Sequence, residues 1–534
     1  MSETSSGGQD VGEVSPAPLA PDRRSATWRD LPSWTDSLAS QLSRLVGGPI
    51  GRHALIGRAR FWTPVRVVLA MAVVFLAFGW FGKAACIQQH PGDNGPALDW
   101  SNNRQYVAMC YTDIVPLYGA ERLNEGAFPY KVSWVEDGSA GLPQVRYMEY
   151  PVVAGLYQYV VMRAAKAWDA VPWLPGALQV AIYFNMAALG LAAAWLVTVW
   201  ATALSAGRRI WDSATLACTP LIAVHGFTNF DPLATAFAAG GMLAWARRRP
   251  ALAGVLLGLG AATKLYPLFL LLPLLALCIR VSRLREWGVA TATALVTWLA
   301  VNLPIAALFW NGWLEFFRLN TERNADPDSI YNVIKSFTGW PGFDGELGQG
   351  EPPVILNMVS LALFAAVAAG VGYVALTAPR RPRFPQLCFL LIAGFLLTNK
   401  VWSPQYSLWL TPLAVLAYPH RRVLLTWMTV DALVWVPRMF FYLGVDNKGL
   451  PEQWFTGAVV LRDIAVLSLC GLILYRIYHP DGDLVRAEGA DDPAGGVLDH
   501  APDRFPSRLP SRLRPRAAAV PAAAPPPEPV VSRV

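Results

Sequence analysis

The sequence predicts an all-α polytopic membrane protein of about twelve transmembrane helices. Three observations carry the membrane prediction. Of 534 residues, 54% are hydrophobic and only 15% are charged, where a typical soluble domain has about 25% charged residues. Apolar runs recur from about residue 66 to residue 478, separated by short polar punctuation. Arg and Lys gather in alternate interruptions of those runs. This composition excludes a disordered chain, a collagen and a disulfide scaffold. The total charge of +7, from 44 Lys and Arg against 37 Asp and Glu, carries little information. The placement of those charges carries much more.

Residues 1–60 are polar and rich in Ser, Pro, Gly and Arg, with no early apolar core and no small-residue cleavage site. They read as a disordered cytoplasmic N-terminal tail, with a weak surface helix over 34–56. Residues 61–478 form the membrane domain. Residues 479–534 are Pro/Ala-rich with scattered Arg and Asp, and read as a second disordered cytoplasmic tail. A spanning helix needs about 20 apolar residues. The expected spans are 66–86, 177–204, 213–226, 231–246, 250–263, 266–280, 287–308, 353–377, 386–399, 404–418, 422–441 and 456–478. Several are short and meet at polar or proline-containing breaks, which are tolerated where backbone lines a cavity.

The stretch 152–168 decides the topology. If it spans, Arg208, Arg209 and Arg247 to Arg249 fall outside. If it lies on the membrane surface, every basic cluster falls inside, including Arg280, Arg283, Arg285, Arg380, Arg381, Arg383, Arg421 and Arg422. The positive-inside rule selects the surface helix and places both termini in the cytoplasm. Two long outer loops follow, 87–176 and 309–352. The first carries Asp93, Asp99, Asp113, Glu121, Glu125 and Glu149, and the second Glu322, Arg323, Asn324, Asp326, Asp328 and Lys335. Short outer breaks present His225, Asn229 and Asp231, then Lys264, then Asn399, Lys400 and Trp402.

The richest stretch runs from Tyr111-Thr112-Asp113 through Tyr118-Gly119 to Pro129-Tyr130, with Glu149-Tyr150-Pro151 before the surface helix. Three more follow in order: Phe227-Thr228-Asn229-Phe230-Asp231-Pro232-Leu233, then Thr263-Lys264-Leu265-Tyr266-Pro267, then Asn399-Lys400-Val401-Trp402-Ser403-Pro404-Gln405-Tyr406. An Asp soon after the first span, followed by these breaks, resembles integral-membrane glycosyltransferases of the GT-C class. The pattern is most similar to glycosyltransferase family 87, which includes mannosyltransferases that elongate phosphatidylinositol mannosides in actinobacteria. One departure is Val152 where the family often has a second proline.

The resemblance implies an inverting transferase with a polyprenyl-phosphate sugar as donor. Mannose is favoured, arabinofuranose next. The acceptor is a cell-envelope glycolipid or glycan on the outer face of a bacterial cytoplasmic membrane. Membrane lipids are the other partners, and nucleic acid is not one. Asp113 is the candidate catalytic base, because an acceptor hydroxyl needs a carboxylate to take its proton. A helix cap is its structural alternative, and Asp99 is the reserve. Lys264, Lys400 and His225 are candidate donor-phosphate contacts, although a lysine at a helix end also snorkels without a partner.

Glu149, Tyr118, Trp402, Gln405 and Asp231 are candidate substrate contacts. For Glu149 the alternative is an ion pair with Arg146, for Trp402 an interfacial aromatic belt, and for Asp231 a cap or a metal ligand shared with Asp113. No compact acidic cluster favours a divalent metal, so no cofactor is expected. Arg438 and Asp463 read as a structural ion pair in the last hairpin. Cys86 and Cys110 flank the start of the first outer loop and are a candidate disulfide there. Cys218, Cys278, Cys388 and Cys470 read as small apolar residues. Twelve spans also fit a transporter or flippase for lipid-linked sugars, against which no internal repeat is visible.

Overall fold

The computed structural model describes residues 62–504 apart from 93–94, 138–142, 346, 349–350 and 488. The expected tail over 1–60, residue Asp93 and positions 505–534 lie outside the described residues. Every one of the twelve apolar runs is helical. Among the described residues, six helices are long and apolar enough to cross a membrane: Pro64–Ile87, Gln179–Ser205, Leu284–Leu308, Val354–Thr377, Arg421–Leu443 and Glu452–Tyr478. The other runs are shorter or broken: Ser213–Ala217 with Pro220–His225, Asp231–Ala246, Pro250–Ala261, Tyr266–Phe269 with Leu271–Val281, Phe384–Thr398 and Ser407–Ala417. The long helices and the shorter apolar ones beside them agree with the all-α polytopic membrane fold expected from the sequence. The 12-residue helix Pro250–Ala261 rises only about 18 Å.

Several of the breaks have plain local causes. Pro220, Pro232, Pro250, Pro267 and Pro385 each occupy the first turn of a helix, where the missing N–H costs nothing. Thr219 caps its helix by accepting from the Leu221 amide at 3.3 Å. Packing is closest where side chains are smallest. Gly254 and Gly258 sit one turn apart, and a Cβ on either would lie 2.1 Å from the Ala290 carbonyl or 2.5 Å from that of Ala294. Small residues spaced four apart let the two helix backbones touch, as in membrane helix pairs. By contrast, Val354–Thr377 stays mostly exposed, the expected state of a lipid-facing helix.

The bundle has two chemically distinct ends. One gathers the arginines. There the Trp245 indole donates to the Gly495 carbonyl at 2.8 Å, Arg280 pairs with Asp503 at 2.7 Å, and Arg381 pairs with Asp491 at 2.7 Å and Asp503 at 2.9 Å. Arg383 pairs with Asp483 at 2.7 Å. These contacts overturn the expected disorder of the C-terminal tail from residue 479 to 504. That stretch lacks apolar periodicity, but its aspartates neutralise arginines that the bundle has buried.

At the opposite end the first loop joins the helix breaks. The Asp113 amide donates to the Thr228 carbonyl at 2.8 Å and the Thr112 hydroxyl to Phe227 at 2.7 Å. Val152–Asp169 is an amphipathic helix that buries Ala154, Gln158, Val161, Met162 and Ala165 on one face. It touches this same end, through Val153 on Ala262 at 2.9 Å and Lys166 on Asn124 at 2.9 Å. Its neighbour Gln179–Ser205 has 27 residues, about 40 Å of helix against a hydrocarbon core of about 30 Å. The amphipathic helix packs along that helix from its first residues inward, with the Tyr157 hydroxyl on the Ala187 carbonyl at 2.7 Å.

Cys86 and Cys110 are joined by a disulfide, with Cα atoms 5.5 Å apart and a sequence separation of 24. The crosslink anchors the strand of loop that leads into Asp113. Replacing both cysteines by Ala is expected to destabilise the protein by about 3 kcal/mol, the loop-closure value for this spacing. A thermal-unfolding comparison with and without reductant checks this. An unchanged midpoint for the double variant would show that the loop is held without the bond.

Candidate active site

Five separate stretches of chain meet around Asp113. The residue sits at the start of the short helix Ile114–Ala120, yet its side chain makes no capping hydrogen bond. Instead the Asn229 amide donates to one Asp113 oxygen at 2.7 Å and to the Tyr150 hydroxyl at 2.9 Å. Asn229 is buried, and its own Oδ1 accepts from the Phe230 amide at 2.6 Å. That fixes which end of the amide faces Asp113. The carboxylate is therefore oriented by a residue that cannot itself turn.

Lys264 approaches from the break after Pro250–Ala261. Its ammonium lies 3.8 Å from Asp231 and 5.4 and 5.2 Å from the centroids of the Tyr150 and Tyr406 rings. Asp231 is fully buried and also accepts from the Trp409 indole at 2.8 Å. Lys264 is within electrostatic reach of Asp113, Tyr406 and Arg323 as well. Glu149 enters from the residues before the amphipathic helix, within reach of Arg323, Asp113, Lys264 and Arg146. Glu149 and Arg323 are both solvent-accessible although protein surrounds them on most sides, which is the situation of groups lining a cleft. That crowding pushes the Glu149 carboxyl above its ordinary range, and the Arg323 charge opposes the shift.

Behind Glu149, Glu121 is 4% exposed and accepts from the Glu149 amide at 3.4 Å. Burial and the Glu149 charge raise its carboxyl well above the usual range. Through that hydrogen bond Glu121 braces the segment that carries Glu149.

The other expected contacts lie elsewhere. The Lys400 ammonium is bound to the Arg323 and Thr321 carbonyls and to Asn357, so it supports the second loop. His225 is fully buried against Trp435, ring centroids 5.2 Å apart. Trp402 is 1% exposed with the Arg462 guanidinium 3.7 Å over its ring, a core contact. Tyr118 donates to Gln179 at 2.6 Å and packs on Tyr183 at 4.6 Å. Gln405 is buried beside Tyr406. Asp99 is paired with Arg104 and Ser101 at the rim. The expected pair Arg438 and Asp463 is not formed, because each finds another partner. Arg438 binds Asp328 of the second loop at 2.9 Å, and Asp463 binds Arg462 at 2.9 Å.

Two carboxylates of the first loop, a buried Lys–Asp pair, tyrosine rings and one arginine thus come together. A hydroxyl nucleophile and a lipid phosphate are the ligands such a set suits. Residues 161–399 match the model of glycosyltransferase family 87. A relative from Mycolicibacterium smegmatis (strain ATCC 700084 / mc(2)155) is a polyprenol-phosphate-mannose-dependent alpha-(1-2)-phosphatidylinositol mannoside mannosyltransferase. It is 34% identical over 263 residues, which cover 46% of this chain and 56% of the relative. Over residues 161–399 the chain is similar to glycosyltransferase family 87, and it spans little more than half the length of the relative it matches. The matched stretch holds Asn229, Asp231, Lys264 and Arg323, while Asp113, Glu149 and Tyr406 fall outside it.

Sequence reasoning named Asp113, Lys264, Glu149 and Asp231, and the fold brings these four together. It gave no role to Arg323, Asn229, Tyr150 or Tyr406. Three of those stand inside the quoted motifs, so proximity to a motif was the available signal. Arg323 had none beyond its place in the second loop.

Proposed function

We propose that the protein transfers mannose from polyprenyl-phosphate mannose to a hydroxyl of a phosphatidylinositol-mannoside-type envelope glycolipid, on the outer face of the membrane. The observation that carries this is the oriented Asp113 carboxylate in a cleft shared with Lys264. The acceptor O–H gives its proton to Asp113 as its oxygen bonds to the anomeric carbon. The bond from that carbon to the phosphate oxygen breaks, and polyprenyl phosphate leaves with the electron pair. Attack opposite the leaving group inverts the centre. Lys264 stabilises the charge that grows on the phosphate, in a site poor in water where such an interaction is strong.

The orientation rests on the positive-inside rule. The arginine-rich end would face the cytoplasm with both termini, and the cleft would face out. A single cysteine placed at the cleft rim, reacting with an impermeant maleimide on intact cells, tests it. The reaction as proposed needs no divalent metal, so EDTA is expected to leave the rate unchanged.

The central experiment supplies purified protein with labelled polyprenyl-phosphate mannose and phosphatidylinositol mannosides. Transfer from this donor, and none from GDP-mannose, is expected. Transfer from polyprenyl-phosphate arabinofuranose in its place would change the sugar assigned. Movement of the lipid-linked sugar across a vesicle membrane without transfer would replace the enzyme with a flippase.

A further inference from the structure

We propose that Arg323 is the donor-phosphate clamp of this cleft and that Lys400 sets it in place without touching the phosphate. The proposal rests on the donor class proposed above and concerns a residue outside every motif of the sequence.

The helix Trp310–Glu322 ends at Arg323, whose backbone turns to an extended conformation. Helix C-termini leave carbonyls unpaired and favour a cation nearby. Lys400 supplies it. Its ammonium has three N–H groups and meets three acceptors: the Arg323 carbonyl, Asn357 Oδ1 at 2.5 Å and the Thr321 carbonyl at 3.4 Å. Asn357 returns its own amide to Thr321 at 2.9 Å. The Lys400 carbonyl accepts from the Asp326 amide at 2.8 Å, so the chain is tied on both sides of Arg323. No Lys400 donor is left for an anion. Burial and the Arg323 charge push its ammonium down to about 8.

The Arg323 side chain is in the opposite state. Among the described residues its guanidinium makes one hydrogen bond, to Asp326 at 3.2 Å. Its side chain is 49% exposed. The half-exposed guanidinium thus has one hydrogen-bond partner among the described residues, and it is the planar fork that matches phosphate oxygens two at a time. Glu149 and Tyr406 are within its electrostatic reach, and Lys264 feels its charge in turn. Both cations thus lie within electrostatic reach of Tyr406, and Lys264 within reach of Asp113 as well. A polyprenyl-phosphate sugar carries one negative charge, and its leaving group carries two. A fixed guanidinium beside that phosphate gains strength as the second charge appears.

The test compares wild type with Arg323→Ala, Lys400→Met and the double variant. Each is confirmed folded by size-exclusion profile and thermal midpoint. The donor KM and the binding of sugar-free polyprenyl phosphate are both measured, the latter by tryptophan fluorescence. Arg323→Ala is expected to weaken both at least tenfold and to leave the acceptor KM unchanged, with Arg323→Lys recovering part of the loss. Lys400→Met is expected to weaken donor binding less, and the double variant to match Arg323→Ala alone, because Lys400 acts through Arg323. Additive losses would make Lys400 a direct ligand and overturn its assigned role. Transfer by wild type with donor KM and polyprenyl-phosphate binding unchanged in Arg323→Ala would overturn the clamp. Wild type that binds polyprenyl phosphate through Arg323 but transfers no sugar would leave the clamp standing and remove the transferase reading instead.

Discussion

The Asp113→Asn protein is expected to fold, to bind donor and to transfer sugar at no more than about one hundredth of the wild-type rate, the lower bound for losing a general base. The geometry makes this a clean experiment. Asparagine keeps the size of the side chain and an oxygen that can accept from Asn229, whose bond to Asp113 is 2.7 Å. The backbone amide of residue 113 keeps its bond to Thr228. No capping bond is lost, because the Asp113 side chain makes none. What disappears is the ability to take a proton. Asn229→Ala is the companion variant. It leaves the carboxylate in place but frees its orientation, so kcat falls while the donor KM stays. Equal kcat for wild type and Asp113→Asn would remove this residue from the chemistry and make Glu149, which shares its surroundings, the next carboxylate to test.

The fold class was legible because hydrophobic runs and basic clusters are local signals. Each apolar run became a helix. Its length as a single crossing was less legible, since proline-started short helices such as Pro250–Ala261 and Phe384–Thr398 read as spans when only apolar residues are counted. In the site, Asp113, Lys264 and Glu149 were visible because charged residues between apolar runs stand out. Lys400 was visible for the same reason, yet its neighbours decide what it does. Only the fold reveals that it caps a helix 77 residues away in sequence. Arg323 was hidden for the converse reason. In a loop already rich in charge, one more arginine carries no signal until the cleft forms around it. The C-terminal stretch 479–504 was misread as disordered because Pro, Ala and Asp predict no helix, and its order comes from ion pairs to distant arginines.

Those ion pairs lead to the second large effect. Arg383→Ala is expected to destabilise the protein by about 3–5 kcal/mol, the cost of removing one partner from a buried charge pair. Arg383 is 2% exposed and its guanidinium serves both oxygens of Asp483, at 2.7 and 3.2 Å, and the Leu416 and Ala417 carbonyls at 2.6 and 2.7 Å. Without it those carbonyls lose this donor, and the buried Asp483 carboxylate loses its guanidinium and keeps the Val485 amide at 3.1 Å. Arg383→Lys is expected to rescue little, because an ammonium cannot span the same fork.

Two aspartates of this stretch give the network opposite pH signatures. Burial raises the Asp483 carboxyl, but the Arg383 guanidinium outweighs it and holds the group below its ordinary range. Its contribution is therefore present above the unfolded-state value and is lost as pH falls through the folded one. Asp492, with one oxygen accepting from the Phe384 amide at 2.6 Å, is pushed up by burial to about 6. Its contribution is present below the unfolded value and is lost as pH rises through about 6. Thermal midpoints in detergent should therefore rise as pH falls from 7 to 5, and Asp492→Asn should flatten that slope. A slope unchanged in Asp492→Asn would place the titrating group elsewhere. An Arg383→Ala midpoint equal to wild type would show that residues 479–504 rest on the bundle without holding it together.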